Sequence, residues 1–317
     1  MKKSLLFAAL TLFAVGVNAT ETQNVTYVDA NGVEQTIAAY PITEKMDSDV
    51  ADYNDFMNRY ELKSGWYVVD GNVTTSALGA QDGNVVNIIL ADGSTLGTTC
   101  LSCSNATLNL YVQSKGTGKV MITNEYNDIT AYDNSTINVY GGNYSGQYSV
   151  FNCQSGGTFH IYDATASGAI KNYAGKMIFE GGTFTCNDGV ALYVYSETIV
   201  NGGTFTGAEH AFMFSYYYDD DWNEIPLSIT LGEGKAWYSN GVKVDMDDME
   251  QVKVDDQGDE VFFYSKLATY TVQDAAVPTV LRDINATSSK AVKTIENGQL
   301  VIIKDGNRYN VAGQLLK

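Results

Sequence analysis

Ile137-Asn-Val-Tyr-Gly-Gly-Asn-Tyr-Ser-Gly146, Met177-Ile-Phe-Glu-Gly-Gly-Thr-Phe-Thr-Cys186 and Thr198-Ile-Val-Asn-Gly-Gly-Thr-Phe-Thr-Gly207 are three copies of one pattern. Each is a short β-prone run, a Gly-Gly pair and a second short run. Phe159-His-Ile-Tyr-Asp-Ala-Thr-Ala-Ser-Gly168 is a weaker fourth copy. With Gly142, Ala164, Gly182 and Gly203 taken as equivalent, the steps are 22, 18 and 21 residues.

A period near twenty has a direct physical solution. Each repeat forms one coil and pairs in parallel with the next, about 4.8 Å away. Gly-Gly supplies a corner with φ above zero, which other residues resist. One coil cannot bury its own apolar face, so stacked neighbours supply the core. Val139, Ile178, Phe184, Val200 and Phe205 are expected to stack inside. The fold class expected is all-β, a right-handed parallel β-helix. An antiparallel sandwich or barrel also shows short strands with turn signals, but Gly-Gly recurring at one phase favours coils.

The pattern continues on both sides. Upstream are Val85-Val-Asn-Ile-Ile-Leu90, Thr107-Leu-Asn-Leu-Tyr-Val112 and Lys119-Val-Met-Ile-Thr123, and downstream is Ser228-Ile-Thr-Leu-Gly232. Residues 85–245 would make seven or eight coils, roughly 35 Å of axis. Bare strand edges at the ends would aggregate. Asp49 to Leu62, with Val50, Tyr53, Met57 and Tyr60 at helical spacing, reads as a short amphipathic helix over the first coil, with Ser48 or Asp49 as its cap. Glu260-Val-Phe-Phe-Tyr264 and Tyr270-Thr-Val272 read as antiparallel strands closing the other end. Gln299-Leu-Val-Ile-Ile303 and Arg308-Tyr-Asn-Val311 flank Asp305-Gly306, a hairpin signal. The organisation expected is a leader over 1–19, an N-terminal segment with the capping helix over 20–64, the β-helix and closing strands over 65–272, a linker over 273–289 and a C-terminal hairpin over 290–317.

Lys2 and Lys3, the apolar run Leu5 to Val15 and Val17-Asn-Ala19 read as a secretory signal peptide, too short to span a bilayer as an anchor. No later stretch is long and apolar enough for a membrane span. The chain carries 19 Lys and Arg against 37 Asp and Glu. Loss of Lys2 and Lys3 leaves 17 bases and a net charge of −20. That balance argues against nucleic acid and against anionic lipid, both of which demand basic residues. Cys100 and Cys103 read as a local disulfide or as two small stacked side chains. Zinc would need two further ligands, and Cys153, Cys186 and the two His stand at no zinc spacing.

Gly65-Trp-Tyr-Val-Val-Asp-Gly-Asn-Val-Thr74, Val86-Asn-Ile-Ile-Leu-Ala-Asp-Gly93 and Leu108-Asn-Leu-Tyr-Val-Gln-Ser-Lys-Gly-Thr-Gly118 resemble, in order and spacing, the opening coils of a family of exported β-helix modules from Bacteroidetes-type bacteria. Some of these are described loosely as carbohydrate-binding. The resemblance covers about residues 61–210 and implies fold and export. The tail, Glu296-Asn-Gly-Gln-Leu-Val-Ile-Ile-Lys-Asp-Gly-Asn-Arg-Tyr-Asn-Val-Ala-Gly-Gln-Leu-Leu-Lys317, resembles type IX secretion sorting signals of the same bacteria. The resemblance marks Gly298, Gln299, Leu300, Gly306, Tyr309, Asn310, Gly313 and Gln314 and implies the export machinery as a partner. The same residues also read as a terminal hairpin with no sorting role.

Three classes of function follow. The first is glycan recognition, on a polysaccharide or glycoprotein. Phe212-Met-Phe-Ser-Tyr-Tyr-Tyr-Asp-Asp-Asp-Trp-Asn-Glu224 gathers Tyr216, Tyr217, Tyr218 and Trp222 beside Asp219 and Asp221. Aromatic faces pack on sugar C–H faces, and carboxylates accept hydroxyl hydrogen bonds. The same aromatics would otherwise fold back over a coil. The second class is a structural adhesin or surface scaffold, with Tyr140, Tyr162 and Tyr195 as an external ladder or as ordinary strand aromatics. The third is a polysaccharide lyase or hydrolase. Its carboxylates would come from Asp133, Asp163, Glu180 and Glu197, but no Arg lies between residues 60 and 281, and neither His160 nor His210 sits in a polygalacturonase-type motif. No catalytic residue is assigned and no cofactor is expected. Calcium is the one ion with hard oxygen ligands to hand, in Asp219, Asp220 and Asp221 or in Asp245, Asp247 and Asp248.

Overall fold

The computed structural model describes residues 21–218, 222–246, 249–253, 261–275, 292–296, 299–304, 307–310 and 315–316. It divides into two units, residues 1–275 and 276–317. All regular structure in the described residues is β, and the larger unit is a parallel β-solenoid.

Seven coils stack between residues 65 and 214, each presenting three strand faces. The first face is Gly65–Val69, Val85–Leu90, Thr107–Val112, Thr136–Val139, Thr158–Ile161, Lys176–Phe179 and Thr198–Val200, with Thr230–Leu231 added after the last coil. The second face begins with Asn72–Thr75 and ends with Gly203–Thr206. The third begins with Ala77–Gln81 and ends with Phe212–Phe214. Strands Asn143–Cys153 and Thr165–Asn172 run round the corner from the second face to the third. Successive first-face strands are offset by 21, 22, 29, 22, 18 and 21 residues. The second-face ladder Asn143↔Thr165↔Thr183↔Thr204 has the 22-, 18- and 21-residue steps expected from the Gly-Gly phase. The second glycine of each pair, Gly142, Gly182 and Gly203, has φ of +105°, +112° and +110°, and forms the corner between the first and second faces.

Strand alternation fills the interior with columns. On the second face the column is Val73, Leu96, Val120, Tyr144, Ala166, Phe184 and Phe205. Val139, Phe184, Val200 and Phe205 are fully buried, as expected. Ile178 is not. It is the register partner of outward His160, and its neighbours Met177 and Phe179 take the inward positions. A one-residue change of phase moves a strand residue to the opposite face.

The expected capping helix is a hairpin. Ala51–Asn54 pairs antiparallel with Arg59–Leu62, which adds in parallel to the third face. Asn54 Oδ1 accepts the Met57 N–H at 3.1 Å and Asn58 adopts φ +48°, so the chain turns where a helix would continue. Of the supposed apolar helical face only Val50 is buried, ahead of the hairpin, while Tyr60 is half-buried and Met57 and Tyr53 are about half exposed. Period-2 alternation buries Ala51 and Leu62 instead. The segment between the two N-terminal hairpins plugs the core end with Ile42, Met46 and Val50. The first of those hairpins, Gln23–Val28 with Glu34–Pro41, extends the first face and lays Val25 and Tyr27 against its exterior.

At the far end Val261–Ser265 pairs antiparallel with Phe212–Phe214, and Thr269–Asp274 with Gly203–Thr206. The described part of the second unit is an antiparallel meander of Val292–Glu296, Gln299–Lys304, Asn307–Tyr309 and Leu315–Leu316. Of the expected hairpin, Gln299–Lys304 paired with Asn307–Tyr309 is described, and Asp305 and Val311 lie outside the described residues. Residues 1–19, most of the expected linker, and Gly298, Gly306, Gly313 and Gln314 lie outside the described residues. Among the described residues no helix is long and apolar enough to cross a membrane.

Candidate functional site

The chain leaves the last coil at Phe214 and makes an excursion before returning to the first face at Thr230. Tyr216–Tyr218 pairs antiparallel with Glu224–Pro226, in the register Tyr216↔Pro226, Tyr217↔Ile225 and Tyr218↔Glu224. The hairpin is anchored at its base by the Leu227 N–H donating to the Ser215 carbonyl at 2.7 Å and by the Tyr216 ring lying 6.2 Å from Phe263. Alternation along the strand puts Tyr216 and Tyr218 on one side and Tyr217 on the other. Tyr216 and Tyr218 meet edge to face at 5.4 Å, and Trp222 joins Tyr218 at 5.9 Å with the rings inclined by 50°. Trp222 is 81 % exposed, Tyr217 54 % and Tyr218 51 %. Tyr217, Tyr218 and Trp222 do not fold back over a coil, whereas Tyr216 is half-buried at the base beside Phe263. Asp219, Asp220 and Asp221 lie outside the described residues, as do Asp247 and Asp248. Among the described residues no group of three or more His, Cys, Asp or Glu is arranged to hold a metal ion.

The exterior of the first face carries the expected tyrosine ladder with different members. Tyr111, Tyr140 and Tyr162 stack at 4.6 and 4.7 Å, inclined by only 9° and 18°. Trp66 extends the stack at one end, 5.2 Å from Tyr111, and His160 lies 4.1 Å from Tyr162 at the other. Tyr195 is elsewhere, against Tyr173. Beside the rings runs a ladder of amides. Asn138 Nδ2 donates to Asn109 Oδ1, and Asn109 Nδ2 to Asn87 Oδ1, each at 2.8 Å. Sequence reasoning missed the amides, Tyr111 and Trp66. The signal was present as Val86-Asn-Ile88, Leu108-Asn-Leu-Tyr111 and Ile137-Asn-Val-Tyr140, the same residue types at one phase. The rings spend their faces on each other and leave edges outward, so the ladder stabilises the stack and is not a flat platform for a sugar.

The carboxylates weighed for catalysis are occupied separately. Glu180 accepts from His160 Nε2 and from Asn201 Nδ2, both at 2.9 Å. Burial alone would raise its carboxyl, but these hydrogen bonds outweigh burial and hold it below the ordinary carboxylate range. Glu197 pairs with Lys176 at 2.6 Å, and Asp133 accepts from Ser104 Oγ at 3.3 Å. Asp163 borders a cleft of about 350 Å³. Among the described residues the one arginine of the solenoid unit, Arg59 on the hairpin strand that extends the third face, is committed to Glu61 at 2.6 Å and to Ser102 at 3.0 Å, over Gly79, where a Cβ would strike both Glu61 and Arg59.

All four cysteines are free thiols. Cys103 and Cys153 point into the core, so of the two expectations for Cys100 and Cys103 the small side chains hold and the disulfide does not. Burial pushes the thiols of Cys100, Cys103 and Cys153 up to about 11, which suits packing and not nucleophilic chemistry.

No protein-family model matches the chain, and no curated protein and no solved structure is significantly similar to it.

Proposed function

We propose that this β-solenoid is an exported, non-catalytic recognition protein that binds a glycan through the hairpin of residues 216–226. The observation that carries the reading is the largely exposed Trp222, set beside Tyr218 on a paired hairpin clear of the core. A tryptophan held in water by ordered structure forgoes the stabilisation of burial, and large aromatics so placed are the usual anchors of binding surfaces. The inclined pair offers two ring faces to an apolar sugar face. Binding is measured on a glycan array and then by calorimetry on the sugar class it identifies. Trp222→Ala with Tyr218→Ala is expected to weaken affinity at least tenfold, and Tyr217→Ala, on the opposite side, to change it little. Melting temperatures should fall only slightly, because Trp222 is largely exposed and Tyr218 half exposed, both outside the solenoid core. Unchanged affinity in the double variant would remove the hairpin from the reading. A blank array with folded protein would favour the structural adhesin.

Export is proposed to run through the leader of residues 1–19 and delivery to the cell exterior through the tail of residues 290–317. Deletion of that tail is expected to leave the protein inside the cell envelope, as read by fractionation of the native host. Normal delivery without it would reduce the tail to a terminal hairpin.

A further inference from the structure

At the N-terminal end of the solenoid the three faces are finished differently. The first face gains Glu34–Pro41 and the third gains Arg59–Leu62. The second face begins directly on a coil strand, Asn72–Thr75, whose only strand partner among the described residues is Thr95–Thr98 on the next coil.

The ladder shows which backbone groups this leaves unpaired. In a parallel sheet a residue directs its N–H and C=O to the same neighbour, and alternate residues serve alternate neighbours. On every later coil the residue at this register position of the second-face strand donates its N–H back to the preceding coil. Thr95 donates to the Gly71 carbonyl, Lys119 to Ser94, Asn143 to Gly118, Thr165 to Gly142, Thr183 to Ala164 and Thr204 to Gly182, all within 2.7–3.0 Å. Asn72 is the register equivalent of these donors. Its N–H and C=O, and those of Thr74 two residues on, point to where a preceding coil would lie. Among the described residues no strand lies there. Gly71, Val73 and Thr75 carry the bonds to the next coil.

In place of a strand there is a cleft of about 710 Å³. Residues 41–44 form one wall, Asp70 and residues 72–74 the other, and Gln23 stands at the margin. Among the described residues the only side-chain bond across it is Thr75 Oγ1 donating to the Glu44 carbonyl at 3.2 Å. Glu44 and Asp70 are both exposed, and no Lys or Arg lines the cleft.

We propose that this open edge is a docking site for an extended segment of another protein carrying lysine or arginine, which adds a strand to the second face. Unpaired N–H and C=O groups are a template for main-chain pairing. An apolar residue of the guest would cover the half-buried Val73. The two carboxylates select a cationic guest, and the net charge of −18 disfavours a second copy of this chain. The site is at the opposite end of the solenoid from the aromatic hairpin and does not depend on glycan binding.

The probe is a short peptide of alternating lysine and valine, acetylated and amidated, followed by calorimetry and by hydrogen exchange on the purified protein. Binding to wild type should protect the amides of Asn72 and Thr74 from exchange. Thr74→Pro removes a donor that has no partner in the solenoid, a change sheet edges tolerate. It should weaken binding at least tenfold. Glu44→Gln with Asp70→Asn should weaken it several-fold, as should raised salt. A glutamate–valine peptide should not bind. The proposal is overturned if the lysine peptide fails to bind wild type, if folded Thr74→Pro binds it equally well, or if the glutamate peptide binds as tightly. It is also overturned if the two amides are protected before any peptide is added, because the edge is then occupied by this chain or a second copy. The exchange measurement on wild type decides the matter if Thr74→Pro does not fold.

Discussion

Phe205→Ala is expected to destabilise the solenoid by about 4 kcal/mol, the middle of the range for removing a buried phenylalanine ring. Phe205 is fully buried at the last coil of the second face. It stacks on Phe184 at 4.9 Å, meets Phe179 edge to face at 5.2 Å and lies 5.3 Å from Phe212. Its register partners are Phe184 on the coil below and Tyr270 on the closing strand above. The lost ring would therefore leave a cavity between the coils and their cap. Strand backbones hydrogen-bonded on both sides cannot collapse to fill it. In a solenoid each coil is stabilised chiefly by its neighbours, so the loss should be local before it is global. Denaturant unfolding should show the full loss. Hydrogen exchange should show protection failing first in Thr269–Asp274 and Gly203–Thr206, while the first coils keep theirs. A loss below about 1 kcal/mol, or uniform loss of protection along the axis, would show that the coils do not share their core in this way.

The coil step was legible in the sequence because Gly-Gly pairs mark one corner of each turn, and a corner glycine fixes the phase of the strands on both sides. Where the pair is absent the phase is weaker. The corner of the fourth copy is Asp163-Ala164, and Ala164 takes no positive φ. The start of the solenoid was harder to place than its middle, because Gly65–Val69 opens the first coil without a Gly-Gly corner. The hairpin of Ala51–Asn54 and Arg59–Leu62 was misread for a definite reason. Tyr53, Met57 and Tyr60 satisfy helical spacing by accident, and nothing local shows that Arg59 and Glu61 will be bound over a glycine one coil's sequence away, at Gly79. The candidate sites divide in the same way. The exposed aromatics of the 216–226 hairpin were visible as a composition anomaly in an insertion, which is a local property. The open edge at Asn72–Thr75 was invisible, because an edge is defined by the strand that is missing from a tertiary ladder. The exterior ladder of Asn87, Asn109 and Asn138 was legible in principle, but its period has to be known before its members can be aligned.

Gly182→Ala is expected to cost about 3 kcal/mol, more than the usual penalty for alanine at a left-handed position. Two effects add. The φ of +112° lies beyond the region that asparagine or aspartate tolerates, so any Cβ strains the backbone. The added methyl would also lie 2.6 Å from the Ala164 carbonyl oxygen and 2.8 Å from Phe184 Cζ. Neither neighbour can give way. The carbonyl of Ala164 accepts the Thr183 N–H at 2.7 Å and is part of the ladder, and Phe184 is fully buried in the central column. Gly32→Ala, at φ +74° in an exposed N-terminal turn with no atom within reach of a Cβ, isolates the backbone contribution and should cost about 1 kcal/mol. The comparison is made by denaturant unfolding of both variants. Equal losses would mean that the corner glycines serve backbone conformation alone, and that the close packing of successive corners adds nothing to it. A threefold difference would show that the Gly-Gly phase is selected twice over, once by the turn each coil must make and once by the coil stacked beneath it.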